Sequence, residues 1–285
     1  MADSQKRINP TLTYCLSVFF YVISDSFIKR LSYDFDITEI IFYRAFFGLI
    51  IIVVLASSYH YPVYKINSLK IMTLRCLLSF LTFYMSIVSL KGISLQVYNT
   101  YYHLSPLFSY FFAIIFLKEK LNFKTLVLLG FAIIGVYLSV VTDSGGILKF
   151  KIYALITSIL WALSITSLKK LSNNDSASSI IFYSYLFNFI TGLFIFDIKN
   201  YFCYRYLVIS ILSIFHLAGF YLMVVSLKKL KLSHASQLEY TGIVWALLIG
   251  YFIWEETVDY KIIIGASMII LSSFYIYKLN LLKNN

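Results

Sequence analysis

Ile28-Lys29-Arg30-Leu31-Ser32 returns as Leu168-Lys169-Lys170-Leu171-Ser172, and Ile40-Ile41-Phe42-Tyr43 returns as Ile180-Ile181-Phe182-Tyr183, both 140 residues later. Further along, Val88-Ser89-Leu90-Lys91 recurs as Val225-Ser226-Leu227-Lys228. The stretch Lys118-Glu119-x-Leu121-Asn122-Phe123-Lys124 is matched by Glu255-Glu256-x-Val258-Asp259-Tyr260-Lys261, and both of these pairs are offset by 137. Four matches in order at nearly one offset mark an internal duplication. The sequence therefore divides into two copies of one unit, 1–145 and 146–285.

Each copy is apolar. Hydrophobic residues make up 60% of the chain and charged residues 13%, with a mean hydropathy of +0.81. A soluble domain carries about a quarter charged residues, so these are too few to cover a water-facing surface. A helical membrane span takes about 20 residues. Ten apolar runs, at 11–31, 37–57, 68–90, 94–117, 123–141, 150–170, 177–198, 204–227, 233–254 and 260–278, leave no room for an ATPase module or an ectodomain. Runs of this length without two-residue alternation are helices. The expected fold is an all-α integral membrane protein with ten transmembrane helices. Five per copy is an odd number, so the second copy enters the membrane from the opposite side, giving two inverted five-helix repeats within one membrane domain. In such architectures substrate sits near the midplane between the repeats.

With the N-terminus placed inside, 14 Lys and Arg fall in inner segments and 8 in outer loops, while Arg44 and Arg75 lie within spans. This asymmetry predicts a multi-pass protein of the cytoplasmic (inner) membrane with both termini cytoplasmic. The first run contains Asp25 and Lys29 and lacks a small-x-small cleavage pattern, so it reads as a span and not as a signal peptide. The net charge of +11 is spread over short loops such as Lys228-Lys229-x-Lys231. Nucleic acid needs a basic footprint on one face, so the lipid bilayer is the expected partner and nucleic acid is not. Cys15, Cys76 and Cys203 are scattered and form no C-x-x-C pair, which suggests neither a disulfide framework nor a metal site.

Polar residues inside the spans are the functional candidates. The fourth run opens with Tyr98-Asn99-Thr100-Tyr101-Tyr102-His103, and His103 lies roughly 14 Å from the outer end of its helix, near the midplane. The repeat partners of Tyr102 and His103 are Glu239 and Tyr240. An intramembrane carboxylate is expensive and marks function by default. Glu239, His103, Tyr102, Tyr240, Asn99 and Trp161 are therefore the substrate or coupling candidates, with Trp161 offering a central aromatic face. Arg75, at a depth of about 10 Å like Glu239, is a candidate ion-pair partner for that carboxylate. Asp25 and Arg44 share the outer half of spans one and two, so they suit a second pair that is structural or gating. Ser105, Ser109 and Ala113, with their counterparts Gly242, Ala246 and Gly250, make small-residue stripes that let helices pack closely. His216 and Asn188 are weaker mid-span candidates. The chain shows no G-x-S-x-G, H-E-x-x-H or P-loop signature and no carboxylate cluster with metal-ligand spacing, so no enzyme activity, cofactor or metal is expected.

The chain resembles the drug/metabolite transporter superfamily, specifically its ten-helix EamA-type members. The resemblance rests on Arg44 in Phe42-Tyr43-Arg44, on Pro106, and on the Lys118-Glu119-Lys120-Leu121 turn. In the second copy it rests on Trp254-Glu255-Glu256 and Gly265-Ala266. Ile243 stands where a counterpart of Pro106 is expected, which departs from a symmetrical gate. The resemblance implies export or exchange of amino acids, S-adenosylmethionine-like metabolites, vitamins or drugs. Taken with the residues, it predicts a secondary transporter moving a small polar metabolite by alternating access, with protons or a counter-substrate, as a monomer or homodimer. The alternatives are a membrane enzyme, an assembly scaffold or a channel.

Overall fold

The computed structural model describes residues 9–31, 35–59, 63–93, 98, 101–120, 123–140, 148–195 and 205–254, with isolated positions between 264 and 275. Among the described residues every regular element is a helix: α1 (Pro10–Leu31), α2 (Ile37–Tyr59), α3 (Leu69–Leu90), α4 (Ser105–Leu117), α5 (Phe123–Val140), α6 (Leu148–Asn174), α7 (Ala177–Ile195), α8 (Arg205–Lys229), α9 (Leu232–Leu238) and α10 (Thr241–Trp254). Five of these, within α2, α3, α6, α7 and α8, are long and apolar enough to cross a membrane. Most of the run at 260–278 lies outside the described residues.

Two runs expected to be unbroken are interrupted. The run at 233–254 is split into α9 and α10 by a turn at Glu239-Tyr240, and the run at 94–117 turns at His103-Leu104 before α4 begins at Ser105. Subtracting the offset of 137 from Gly242 gives Ser105, so the two breaks are equivalent. Proline in the first turn of α4 explains one of them, because its missing N–H is not needed there. Gly242 at the start of α10 accompanies the other.

The surface is apolar and the interior unusually polar. Leu12, Val54, Phe111, Ile115, Phe116, Phe194, Leu207 and Phe252 face outward, while Ser17, Ser24, Ser105, Ser109, Ser158, Ser164 and Ser213 are buried. Interior hydroxyls are accommodated by back-bonding to carbonyls three or four residues earlier, as from Ser17 to Tyr14, Thr82 to Leu78 and Ser226 to Leu222. Such an inversion fits lipid as the surrounding solvent.

Helix neighbours follow a two-fold pattern. The contacts of α1 with α8 are mirrored by those of α6 with α3, the contacts of α1 with α10 by those of α6 with α4, and α2 packs on α7. This α2–α7 seam is made by small residues. A Cβ on Gly48 would fall on the Tyr185 ring, and one on Gly192 would meet the Phe42 backbone at 3.2 Å. Gly130 in α5 has open space around it. Gly48→Ala is therefore expected to destabilise by about 1–3 kcal/mol through overpacking, whereas Gly130→Ala should be neutral or stabilising by about 0.5–1 kcal/mol. Thermal unfolding of the two variants in detergent checks this, and equal midpoints would refute the close seam.

Candidate functional site

The break between α9 and α10 positions the central carboxylate. Glu239 closes the last turn of α9, its own N–H bonding the Ala235 carbonyl, and its side chain is buried at 9% exposure. Tyr14 of α1 donates its hydroxyl to Glu239 Oε1 at 3.0 Å, and Trp161 of α6 donates Nε1–H to Oε2 at 3.2 Å. Each carboxylate oxygen thus has one donor, from two different helices. Tyr102 tilts against Trp161 with centroids 6.4 Å apart and meets His103 edge-on at 5.7 Å. His103 faces Tyr240 at 6.4 Å, and its Cε1 lies 4.0 Å from where a Cβ on Gly242 would stand. The two breaks therefore meet, and their polar residues form one cluster. The Tyr240 hydroxyl has no hydrogen-bond partner among the described residues. Asn99 lies outside the described residues.

Arg75 is not the partner of Glu239. Its Nη1 donates to Ser184 Oγ of α7 at 2.5 Å, and its guanidinium lies 4.4 Å from the Phe220 ring centroid. Glu239 is already served by Tyr14 and Trp161. Arg44 stacks on Phe83 at 3.8 Å instead of closing a direct ion pair with Asp25, although the two are within electrostatic reach of one another. The Asp25 side chain is exposed on α1. Tyr21 stands edge-on to Trp161 at 6.4 Å and to His216 at 5.1 Å. The Tyr185 hydroxyl and His216 Nδ1 are hydrogen-bonded at 2.7 Å. Asn188 is half-buried on α7.

The first small-residue stripe lies inside the bundle. Ser105, Ser109 and Ala113 are buried on α4, which packs on α6 and α9. Gly242 approaches Val18 of α1, and Ala246 and Gly250 continue along α10.

A further group was not singled out from the sequence for this role. The chain after α4 turns through Lys118, whose φ of 55° is left-handed, and the Glu119 N–H closes back on the Ala113 carbonyl at 3.2 Å. The Glu119 carboxylate then accepts the backbone N–H groups of Leu232 at 2.8 Å and Ser233 at 3.1 Å. A residue of the first copy thus caps the short helix that carries Glu239. Tyr14, Tyr21 and Ser184 were missed as well, because their partners are remote in the chain.

The profile of the EamA-like transporter family matches residues 10–141 and again 148–278. The chain belongs to the EamA-like transporter family. Two uncharacterized transporters of Helicobacter pylori, from strain ATCC 700392 / 26695 and strain J99 / ATCC 700824, are 24% and 23% identical to it over 274 and 275 residues. The alignment takes in 92% of this chain and 92% of each relative. A solved crystal structure superposes with a TM-score of 0.79 over 95% of this chain and 96% of its own, at 13% identity, a likeness of fold alone. This EamA-like protein is thus a membrane protein of a transporter family, and membership points to transport of a small molecule across a bilayer and away from enzymatic activity.

Proposed function

We propose that this EamA-like protein is a secondary transporter that carries a small polar metabolite across the cytoplasmic membrane by alternating access. Ten spans form two inverted repeats, 1–145 and 146–285, with both termini in the cytoplasm. The exchange of helix neighbours between the copies and the paired helix breaks support this reading. The observation that carries it is the Glu239 carboxylate, buried at the break of a discontinuous helix and held by donors from two other helices. Discontinuous helices at the interface of repeats are where secondary transporters bind substrate and coupling ions, and a buried intramembrane carboxylate is retained for such work. Glu239, Tyr102, His103, Tyr240 and Trp161 form the polar centre, through which cargo or a coupling proton passes. Asp25 and Arg44 act as a gate pair, and the protein works as a monomer or homodimer.

Counterflow in proteoliposomes tests this, using labelled amino acids, S-adenosylmethionine, nucleosides and flavins, each with and without a pH gradient. Saturable exchange of one class is expected. A flat panel from protein shown to be folded and correctly reconstituted would count against transport of these classes and favour a scaffold.

A further inference from the structure

Arg75 sits roughly 9 Å inside the start of α3, six residues past Leu69, and is 5% exposed. Its surroundings are the Ser184 hydroxyl, the Phe220 ring, the Cys76 thiol and the Tyr21 and Tyr185 side chains. None of these is a carboxylate, and Nε has no partner among the described residues. A buried lysine or histidine can shed its proton, but a guanidinium cannot, so this charge persists. A buried cation without a counter-ion is strongly unfavourable. Arg44 adds a second fixed positive charge nearby, bearing on Tyr21 and Tyr185 as Arg75 does. Asp25 lies within electrostatic reach of Arg44. One negative charge is missing.

We infer that the cluster of side chains where α1, α2, α3, α7 and α8 meet is an anion subsite, in which a carboxylate or phosphate group of the cargo docks on the Arg75 guanidinium with Arg44 beside it. The planar fork of Arg75, with Nη1 held by Ser184 and Nε buried without a hydrogen-bond partner among the described residues, has the shape that planar and tetrahedral oxyanions bind in two-point fashion. Tyr185, bonded to His216, and Tyr21 supply neutral donors and an aromatic wall. Glu239 forms a pole of opposite sign. Tyr14, which holds it, lies seven residues before Tyr21 on α1, or about 10 Å along the helix. The cargo is therefore an organic anion or an extended zwitterion and not a simple organic cation. This assignment rests on the transport reading for the word cargo, but binding can be measured without flux.

The test is thermal unfolding of the purified full-length protein in detergent at constant ionic strength, titrated with 3-phenylpropionate, phenyl phosphate, inorganic phosphate or phenethylamine. At least one anionic probe should raise the midpoint saturably, as ligand linkage requires, while phenethylamine does not. The carboxylate and phosphate arms tell the two oxyanion sources apart. In Arg75→Gln the probe affinity should fall at least tenfold, and the unliganded variant should melt at or above the wild type because the uncompensated charge is gone. A purely structural arginine would lower that midpoint. Should Arg75→Gln yield no folded protein, Arg75→Lys, which keeps the charge and loses the planar fork, decides through the same tenfold loss. No shift with any anionic probe, an equal shift with phenethylamine, or an affinity unchanged in the folded variant overturns the subsite. Flat counterflow with the anion shift intact would sink transport and leave the subsite standing. Counterflow of a cationic cargo untouched by Arg75→Gln would do the reverse.

Discussion

Glu239→Gln should fold as the wild type does and lose cargo flux by at least tenfold. The retained fold follows from the hydrogen-bond geometry. The glutamine carbonyl can take the place of Oε2 and accept from Trp161 Nε1–H, leaving its NH₂ toward the Tyr14 hydroxyl, whose oxygen can accept as well as donate. The lost function follows from charge. A hydrogen bond or ion pair to a charged group contributes about 1.5–3 kcal/mol, and each 1.4 kcal/mol is a factor of ten in affinity. If a proton is the coupling ion, the response of counterflow to a pH gradient should disappear in the same variant. Glu239→Ala should differ by losing stability too, because it strands two buried donors at about 1–3 kcal/mol each. Counterflow and thermal unfolding measured side by side separate the two variants. Wild-type flux and an unchanged pH response in Glu239→Gln would remove this residue from the transport pathway.

The sequence made the helices and the duplication legible because both are written in local pattern: apolar runs of span length, and segments repeating at offsets of 137 and 140. The breaks were not legible. Tyr102-His103-Leu104 and Glu239-Tyr240 lie inside continuous apolar runs, and hydropathy averaged over a run is blind to a two-residue turn. The signals were Pro106 and Gly242, each in the first turn of the helix that resumes. Proline there is tolerated because the first-turn N–H groups lack intrahelical partners. Ile243 stands where a counterpart of Pro106 is expected, yet the second break occurs at the equivalent place.

Depth in the membrane was a poor guide to partnership. Arg75 and Glu239 lie at similar depth along their helices, which made them look like an ion pair, but depth leaves lateral position open. The packing of α3 against α6 and α7 and of α1 against α8 turns Arg75 toward Ser184 and Phe220, while Glu239 turns toward Tyr14, 225 positions away in the chain. No local rule relates residues so far apart. The sequence placed these polar groups inside the spans, and topology decided which of them meet.

Glu119→Ala is expected to weaken the protein by about 1–2 kcal/mol and to lower flux several-fold, although Glu119 touches none of the polar centre. The first backbone N–H groups of a helix need acceptors. In α9 two of them, at Leu232 and Ser233, find both oxygens of Glu119, and Lys231 at the N-cap offers no side-chain bond. The carboxylate also complements the positive end of the helix, and loss of an N-cap acceptor costs about 0.5–2 kcal/mol. A seven-residue helix has little other support, since isolated helices this short are unstable in water, and its last turn sets the position of Glu239. Nearby, the Lys169 ammonium lies within electrostatic reach of Glu119 and donates to the Leu227 carbonyl near the end of α8. One carboxylate therefore ties the end of α4 to the start of α9 beside α6 and α8. Glu119→Gln keeps one acceptor oxygen and should fall between the wild type and alanine in both midpoint and flux. An alanine variant matching the wild type in unfolding midpoint and in counterflow KM would show that α9 is held by packing alone, leaving this turn without a part in positioning Glu239.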